Sequence, residues 1–168
     1  MHTDARYTHR IATRADLPRI VEIYNATIPS RQVTADLVPV SVASREPWFD
    51  AHAPQRHPLW VAERDGQVVG WLSYSAFHSR SAYDGTAELG IYVDEAERGH
   101  GLGRQLLRDA ITHAPALGLH TLVGLIFGHN APSLALFEAH GFARWGDLPE
   151  VAILDGVARD LVIVGRKV

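Results

Sequence analysis

Helical periodicity marks the first part of the chain. Apolar residues recur at helical spacing over residues 17–28, which predicts a helix that Asp16 introduces and Pro29 ends. Residues 30–40 contain two polar clusters and a further proline, a composition typical of a loop. A second, brief helix is expected to open at Ser44.

The period changes from helical to alternating near residue 59. Residues 59–63 and 68–77 predict two strands on either side of Asp65-Gly66, a strong hairpin signal. A loop at 78–85 leads to a third strand, Thr86–Val93. In a strand, alternate side chains point to opposite faces, so one face is predicted to carry Leu89, Ile91 and Val93 and the other Glu88, Gly90 and Tyr92.

Helices and strands alternate in the second half. A glycine-rich turn leads into a helix whose apolar stripe runs over residues 102–114 and which Gly118 stops. Strand Thr121–Phe127, a helix at 131–140 and two closing strands at 142–145 and 158–164 complete the pattern. This order predicts one mixed α/β domain, residues 1–168, built around a central sheet.

Composition places the chain among ordinary globular proteins, with 46% hydrophobic and 21% charged residues. Sixteen basic and 19 acidic residues give a net charge of −3, which argues against a nucleic-acid partner. The chain has no cysteine, which excludes disulfides, thiolate zinc sites and a cysteine nucleophile. The histidines show no metal-ligand spacing, so no metal is expected, and all four tryptophans are predicted to lie in the core.

Nothing in the chain resembles a membrane or secretory segment. The first ten residues lack the apolar stretch of a secretory signal. The longest strongly apolar segment, Thr121–Phe127, is far shorter than the ~20 residues that cross a bilayer. The sequence therefore predicts a soluble cytoplasmic protein with no membrane partner.

The most informative segment joins the third strand to the helix after it. It carries three alternating glycines, at 99, 101 and 103, between two arginines. Glycine lets the backbone approach a ligand, and a helix N-terminus adds roughly half a positive charge, so the segment suits a pyrophosphate. The alternatives are a plain helix-entry turn and a Rossmann site, whose glycine spacing and acidic residue are both missing. A P-loop is excluded, because Gly-Lys-Ser/Thr is absent.

Two motifs in this order resemble a known family. Arg98-x-x-Gly101-x-Gly103 after a strand resembles the acetyl-coenzyme A loop of the GNAT superfamily of N-acetyltransferases. Asn130 before a helix that ends in Gly141-Phe142 resembles that superfamily's second motif. Further marks resemble the phosphinothricin N-acetyltransferase group and spread over residues 10–166: Ile23-Tyr24-Asn25, Thr34, Arg80-x-Ala82-Tyr83, Thr86-x-Glu88-x-x-Ile91-Tyr92-Val93 and Asp155-Gly156. The resemblance implies a GNAT-like domain, with a mostly antiparallel mixed sheet and helices on both faces.

The resemblance also implies an activity and a cosubstrate. Members of this group move an acetyl group from acetyl-coenzyme A to the α-amine of phosphinothricin, methionine sulfoximine or methionine sulfone. The backbone of Ile91, Tyr92 and Val93 would pair with the pantetheine arm and polarise the thioester carbonyl. The pyrophosphate would be held by Arg98, Gly99, His100, Gly101, Leu102, Gly103 and Arg104. Asn130 and Ser133 are expected to bond the pantetheine, although each could instead cap the helix that begins at Ala131.

Glu88 is the candidate general base. An alkyl ammonium must lose a proton before it attacks a thioester, and a carboxylate with a raised pKa suits that task. Glu88 lies among apolar and small residues, at the position of the group's proposed catalytic glutamate. The alternative is a structural carboxylate paired with Arg80 or another basic residue. Arg80 is also a candidate for binding a substrate carboxylate or phosphinate, and Phe77 and Tyr83 are candidates for lining the pocket.

Two departures from the family pattern concern proton transfer. Phe137 stands where many GNAT enzymes have a tyrosine proposed to protonate the leaving thiolate. Arg159-Asp160 stands where some phosphinothricin enzymes carry a histidine before the aspartate, which makes phosphinothricin itself a less secure substrate.

The leading hypothesis is therefore an acetyl-coenzyme A-dependent N-acetyltransferase of small amino acids, acting by direct attack in a ternary complex. One alternative is a GNAT enzyme that acetylates protein N-termini or a ribosomal protein through an open groove. Another is a non-catalytic acyl-coenzyme A sensor, against which Glu88 argues. A homodimer is implied by the resemblance alone.

Overall fold

The computed structural model describes residues 6–168; residues 1–5, half of the N-terminal segment considered above for a secretory signal, lie outside this description. The α-helices are α1 (Leu17–Thr27), α2 (Val42–Asp50), α3 (Leu102–His113) and α4 (Ala131–Ala139). The strands are β1 (Thr8–Ile11), β2 (Leu59–Arg64), β3 (Gln67–Ala76), β4 (Thr86–Val93), β5 (Thr121–Phe127), β6 (Ala143–Leu154) and β7 (Val157–Lys167).

The seven strands form one mixed sheet in the order β1-β2-β3-β4-β5-β7-β6. Every neighbouring pair is antiparallel except β4 and β5, which run parallel because α3 makes the crossover between them. The prediction of a mixed α/β fold with a central, mostly antiparallel sheet is therefore confirmed.

Helices cover both faces of the sheet, and alternate residues of each central strand supply both cores. On one face, α3 and α4 bury Leu106 and Phe137 against Leu72 and other strand residues. On the other face, α1 packs Ile20 against Trp71, with α2 partly covering the same cluster. Because Trp71 and Leu72 are neighbours on β3, they enter opposite cores.

Helix α2 and strand β1 differ from the prediction. Helix α2 begins at Val42 and not at Ser44, since the hydroxyl of Ser41 caps it by accepting from the Ser44 amide at 3.1 Å. Strand β1 was not predicted, because all four of its residues are exposed and show no apolar alternation. It exists through its antiparallel pairing with β2.

The two closing strands are longer than the predicted ranges 142–145 and 158–164. Strand β6 continues to Leu154 through two register shifts, one after Arg144 and one after Leu148. Its glycine and proline are typical of a loop, but bulges on an edge strand accommodate both. At the second bulge Glu150 takes a positive φ of 53°, and its amide donates to the Asp160 carboxylate at 2.9 Å.

The prediction of four core tryptophans is wrong for one of them. Trp60 and Trp71 are buried and Trp48 is partly buried, whereas Trp145 on the edge strand β6 is 49% exposed. Its ring lies directly over Gly165 of β7, which has no side chain to displace it. No helix within residues 6–168 is long and apolar enough to span a membrane, and no metal-binding group of His, Asp and Glu occurs there.

Candidate active site

The centre of the sheet opens where β4 and β5 separate. Their parallel pairing begins at Thr86 and Thr121 and ends at Glu88 and Val123. Strand β4 continues to Val93, paired only with β3 on its other side. The edge of residues 89–93 that faces β5 therefore has no strand partner, which leaves backbone amides and carbonyls open to an extended polar ligand.

A cleft of about 500 Å³ occupies this opening, a volume typical of small-molecule sites. Its walls come from both separated strands and from all four helices or the turns beside them. A smaller pocket of about 300 Å³ adjoins it at the glycine loop and shares Val93, Arg98 and Ser133 with it. The site thus has two ends, one at the glycine loop and one beneath α1 and α2.

The glycine loop presents backbone donors at one end of the cleft. Gly99 and Gly101 have positive φ values of 78° and 85°, which side-chain-bearing residues rarely adopt. Gly101 is the N-cap of α3 and has no side chain to cap the helix, so the first-turn amides stay available. With the helix dipole and Arg98 beside them, these donors fit a pyrophosphate.

A buried carboxylate anchors the start of this loop. Glu97 is 3% exposed, and its carboxylate accepts from the Tyr7 hydroxyl at 2.7 Å and from Arg64 Nε at 2.8 Å. The Tyr7 hydrogen bond and the nearby Arg64 guanidinium hold the pKa of Glu97 below its usual range. Gln105 of α3 donates to the Tyr7 carbonyl at 3.0 Å, so Tyr7, the residue before β1, joins the loop to its helix.

Glu88 lies at the point where the two strands part. Its side chain is partly buried, lines the cleft, and stands opposite Ser75 in the β3–β4 register. Burial raises the pKa of this carboxyl above its ordinary value. Within residues 6–168 it forms no ion pair, and Arg80, the alternative partner considered from the sequence, is exposed. The geometry therefore provides a partly desolvated carboxylate with no cation to hold it.

The side chain of Asn130 makes its hydrogen bonds to other residues of the chain. Its side-chain oxygen accepts from the Ser133 amide at 3.3 Å and caps α4, as the capping interpretation predicted. Its amide nitrogen donates to the Gln32 carbonyl at 3.1 Å, and His129 bonds the neighbouring Arg31 carbonyl at 2.7 Å. These two contacts fix the loop after α1, a role that the sequence did not suggest. The expected pantetheine contacts of Asn130 and Ser133 stay predictions.

The other predicted site residues divide into two groups. Ile91, Tyr92, Val93, Arg98 and Gly103 line the main cleft, while Gly99, Gly101 and Leu102 line the adjoining pocket. The residues that line neither are His100, Arg104, Phe77, Arg80 and Tyr83. Phe77 and Tyr83 contact each other at 5.8 Å between ring centroids on the exposed loop after β3. Their substrate contacts, and that of Arg80, stay predictions.

The sequence did not reveal the aromatic wall at the other end of the cleft. Trp71 stacks on Tyr92 with centroids 4.3 Å apart, and Trp48 and Tyr24 pack against this pair. Arg45 of α2 lies over the Tyr24 ring at 4.8 Å. The sequence predicted Trp48 and Trp71 to be core residues, and no local motif distinguishes a core residue from one that also borders a cleft.

Both departures from the family pattern are visible in the structure. Phe137 is 6% exposed, borders the cleft, and packs edge-on against Phe142 at 4.9 Å. Its ring fits closely against Gly124 of β5. Arg159 and Asp160, which stand where some relatives carry a histidine and an aspartate, do not line the cleft. Among the described residues, Glu88 is the one carboxylate that lines the cleft, and no histidine lines it.

Comparison with known proteins identifies the class. Residues 18–142 match the model of the Acetyltransferase (GNAT) family. The Bacillus subtilis (strain 168) protein named "Putative phosphinothricin acetyltransferase YwnH" is 52% identical, with 95% of this chain and 98% of that protein covered. A Pseudomonas paraeruginosa L-methionine sulfoximine/L-methionine sulfone acetyltransferase is 39% identical over 92% of this chain and 91% of its own length.

A solved structure extends the comparison to a complex. The phosphinothricin acetyltransferase of Sinorhizobium meliloti with acetyl-coenzyme A superimposes with a TM-score of 0.91 at 31% identity, covering 97% of this chain and 89% of that one. The chain belongs to the acetyltransferase (GNAT) family. It is an acyltransferase whose acyl donor is acetyl-coenzyme A, and the predicted family resemblance is confirmed.

Proposed function

We propose that this protein acetylates the α-amine of a small amino acid or amino-acid analogue of the methionine sulfone, methionine sulfoximine or phosphinothricin type. The proposal rests on the position of Glu88, a partly buried carboxylate with no ion pair within residues 6–168, at the point where β4 and β5 separate. It borders the same cleft as the free backbone edge of β4 and the aromatic wall. The two relatives above carry names of this substrate type.

Each end of the cleft has a distinct role in this proposal. The amides of residues 99–104 and Arg98 hold the pyrophosphate, and the unpaired edge at Ile91, Tyr92 and Val93 bonds the pantetheine arm. Acetyl-coenzyme A supplies an activated acyl thioester. Glu88 accepts a proton from the acceptor ammonium, directly or through one water, so that the neutral amine attacks within the ternary complex. Backbone N–H groups of β4 polarise the thioester carbonyl. The C–N bond forms as the C–S bond breaks, and the further proton that the nitrogen loses passes through water to the departing coenzyme A thiolate.

The size of the cleft favours a small acceptor over a protein N-terminus. Its acceptor end lies beneath α1 and α2, and the loop over it is fixed by Asn130 and by Asn25, which exchanges two 2.9 Å hydrogen bonds with Val40. The Tyr24 hydroxyl adds a bond to the buried Thr34 of the same loop. An open groove for a polypeptide would require this loop to leave its contacts.

Release of free coenzyme A thiol tests the proposal directly. Purified protein with acetyl-coenzyme A should release thiol when methionine sulfone, methionine sulfoximine or phosphinothricin is added. A peptide with an N-terminal alanine serves as the comparison for the protein-acetyltransferase alternative. Turnover of the peptide alone would overturn the proposed substrate class. Saturable binding of acetyl-coenzyme A without turnover of any amine would indicate a sensor.

A homodimer and a cytoplasmic location belong to the same proposal. Strand β6 is an edge of the sheet, and it exposes Trp145, Leu148, Val151 and Ile153. A long edge strand with exposed apolar side chains is an aggregation hazard unless another chain covers it, which favours a second copy. Fractionation of cells that express the protein tests the cytoplasmic location. That residues 1–168 form one domain also stays a prediction.

A further inference from the structure

The acceptor end of the cleft contains one cation. Among the residues that line the cleft, the charged ones are Glu88, Arg98 and Arg45. Arg98 also lines the pocket of the glycine loop and so belongs to the coenzyme end. Arg45, on α2, lies beside the aromatic wall at the opposite end. Any anionic group on the acceptor therefore meets Arg45 as its positive partner within the cleft.

Arg45 lines the cleft, and its guanidinium is held in place by neighbouring side chains. One terminal nitrogen donates to the Asp36 carboxylate at 3.0 Å, and the plane lies over Tyr24 with Cζ 4.8 Å from the ring centroid. Within residues 6–168 the remaining N–H groups have no acceptor. Asp36 also accepts from the Tyr24 hydroxyl, so the guanidinium is held from two sides. A held guanidinium with unused donors is suited to a carboxylate.

Tyr92 connects Arg45 to Glu88. Burial raises the pKa of the Tyr92 phenol, and the charges of Arg45 and Glu88 act on it in opposite directions. One side chain therefore lies within electrostatic reach of both groups. A zwitterionic α-amino acid carries its ammonium and carboxylate on one carbon, and this cleft offers one carboxylate and one guanidinium, both close enough to Tyr92 to influence it.

We infer that Arg45 binds the α-carboxylate of the acceptor and so makes the enzyme selective for amino acids over simple amines. The inference rests on the proposed function. It assigns to Arg45 the anion recognition for which the sequence suggested Arg80, which is exposed and outside the cleft. The rest of the acceptor end carries no charge: it is lined by aromatic and aliphatic side chains, with Ser73, Ser75 and Thr27 among its polar groups. Acceptors with one carboxylate and an uncharged side chain are therefore expected to be preferred over phosphinothricin.

A matched pair of acceptors isolates the carboxylate. L-Methionine sulfone and 3-(methylsulfonyl)propan-1-amine share the same skeleton and amine, and differ in the carboxylate alone. For Arg45→Ala, kcat/KM for the amino acid should fall by about 10- to 100-fold, the usual effect of losing a charge-assisted hydrogen bond. With the amine, the same variant should change kcat/KM by less than about threefold. Arg108→Ala, at an exposed arginine of α3 outside the cleft, is the matched control and should leave the ratio between the two acceptors unchanged. Arg80→Ala tests the competing site for the carboxylate.

Two results would overturn the inference. An equal loss for both acceptors would show that Arg45 only supports the loop through Asp36 and Tyr24. A changed ratio in Arg80→Ala with none in Arg45→Ala would place carboxylate recognition on the exposed loop. If Arg45→Ala fails to fold, Arg45→Gln keeps two of the three methylene groups and an uncharged N–H donor, and its ratio decides the question in the same way. Inactivity of the wild-type protein towards all α-amino acids would instead overturn the proposed function, and this inference with it.

Discussion

At the scale of single residues, Glu88 decides whether the cleft is catalytic. Replacement by glutamine keeps the size of the side chain and removes its ability to accept a proton at neutral pH. We expect Glu88→Gln to lower kcat/KM for methionine sulfone by at least tenfold, about 1.4 kcal/mol of transition-state stabilisation. Steady-state kinetics at saturating acetyl-coenzyme A measures this loss. Glu22→Gln, which changes an exposed carboxylate on α1, is the control and should retain activity. A loss below tenfold in Glu88→Gln would contradict the assignment.

The pH dependence of kcat/KM should reflect the titration of Glu88. Burial raises the pKa of Glu88 above its ordinary value of 4.5, so the basic form appears at a higher pH than for an exposed glutamate. The kcat/KM of the wild-type protein should therefore rise with pH through that raised pKa. Glu88→Gln should lack this acidic limb and show a flatter profile over the same range. An identical limb in both proteins would assign it to another group, such as the acceptor amine.

At the scale of elements, the Glu97 network connects strand β1, the β2–β3 hairpin and the glycine loop. Tyr7, Arg64 and Arg6 all contact one buried carboxylate, which sits just before Arg98. We expect Glu97→Gln to lower the Tm and to raise the KM for acetyl-coenzyme A more than it changes kcat. Glu95→Gln, two residues earlier and exposed, should do neither. A normal KM in a destabilised Glu97→Gln would show that the network supports the fold without positioning the loop.

The pH dependence of this stabilisation has a defined sign. The pKa of Glu97 is lowered in the folded protein, first by the Tyr7 hydrogen bond and also by Arg64. Its contribution to stability is therefore present above its unfolded value, near 4.5, and is lost as the pH falls through the lowered folded pKa. The difference in Tm between the wild type and Glu97→Gln should shrink on acidification. A difference that stays constant with pH would contradict a role for the charged carboxylate.

Elements with a local apolar pattern were predictable from the sequence. Strands β4 and β5 and helix α1 match their predicted ranges within a residue. Helix α1 carries its apolar residues at helical spacing, and β5 is a short apolar run that is buried at six of its seven positions. Strands β1 and β6 lacked that signal. Most of their residues are exposed, and both strands depend on pairing with a neighbour, through backbone hydrogen bonds that leave no trace in side-chain polarity.

At the scale of the whole molecule, the two ends of the cleft differed in how far they could be predicted. The coenzyme end comes from one continuous segment, residues 88–103, so its glycines and Glu88 stand together in the sequence. The acceptor end is assembled from α1, α2, β3 and β4, which the fold brings together from separate parts of the chain. Arg45, Trp48 and Trp71 therefore had no motif to mark them, whereas the loop of Arg80 had one and lies outside the cleft.

The state of association depends on the exposed edge of the sheet. Ile153 on β6 is 66% exposed, and Val151, two residues earlier on the same strand, is 57% exposed. If a second copy covers this edge, a charge at Ile153 must be desolvated on association, which is unfavourable. We expect the wild-type protein to have twice the 18.5 kDa mass of one chain by light scattering, and Ile153→Asp to have the mass of a single chain. Ile11→Asp adds a charge at an apolar position that is 41% exposed on β1, at the opposite edge of the sheet, and should leave the dimer intact. A monomeric wild type, or an Ile153→Asp dimer of unchanged affinity, would show that β6 is not the interface.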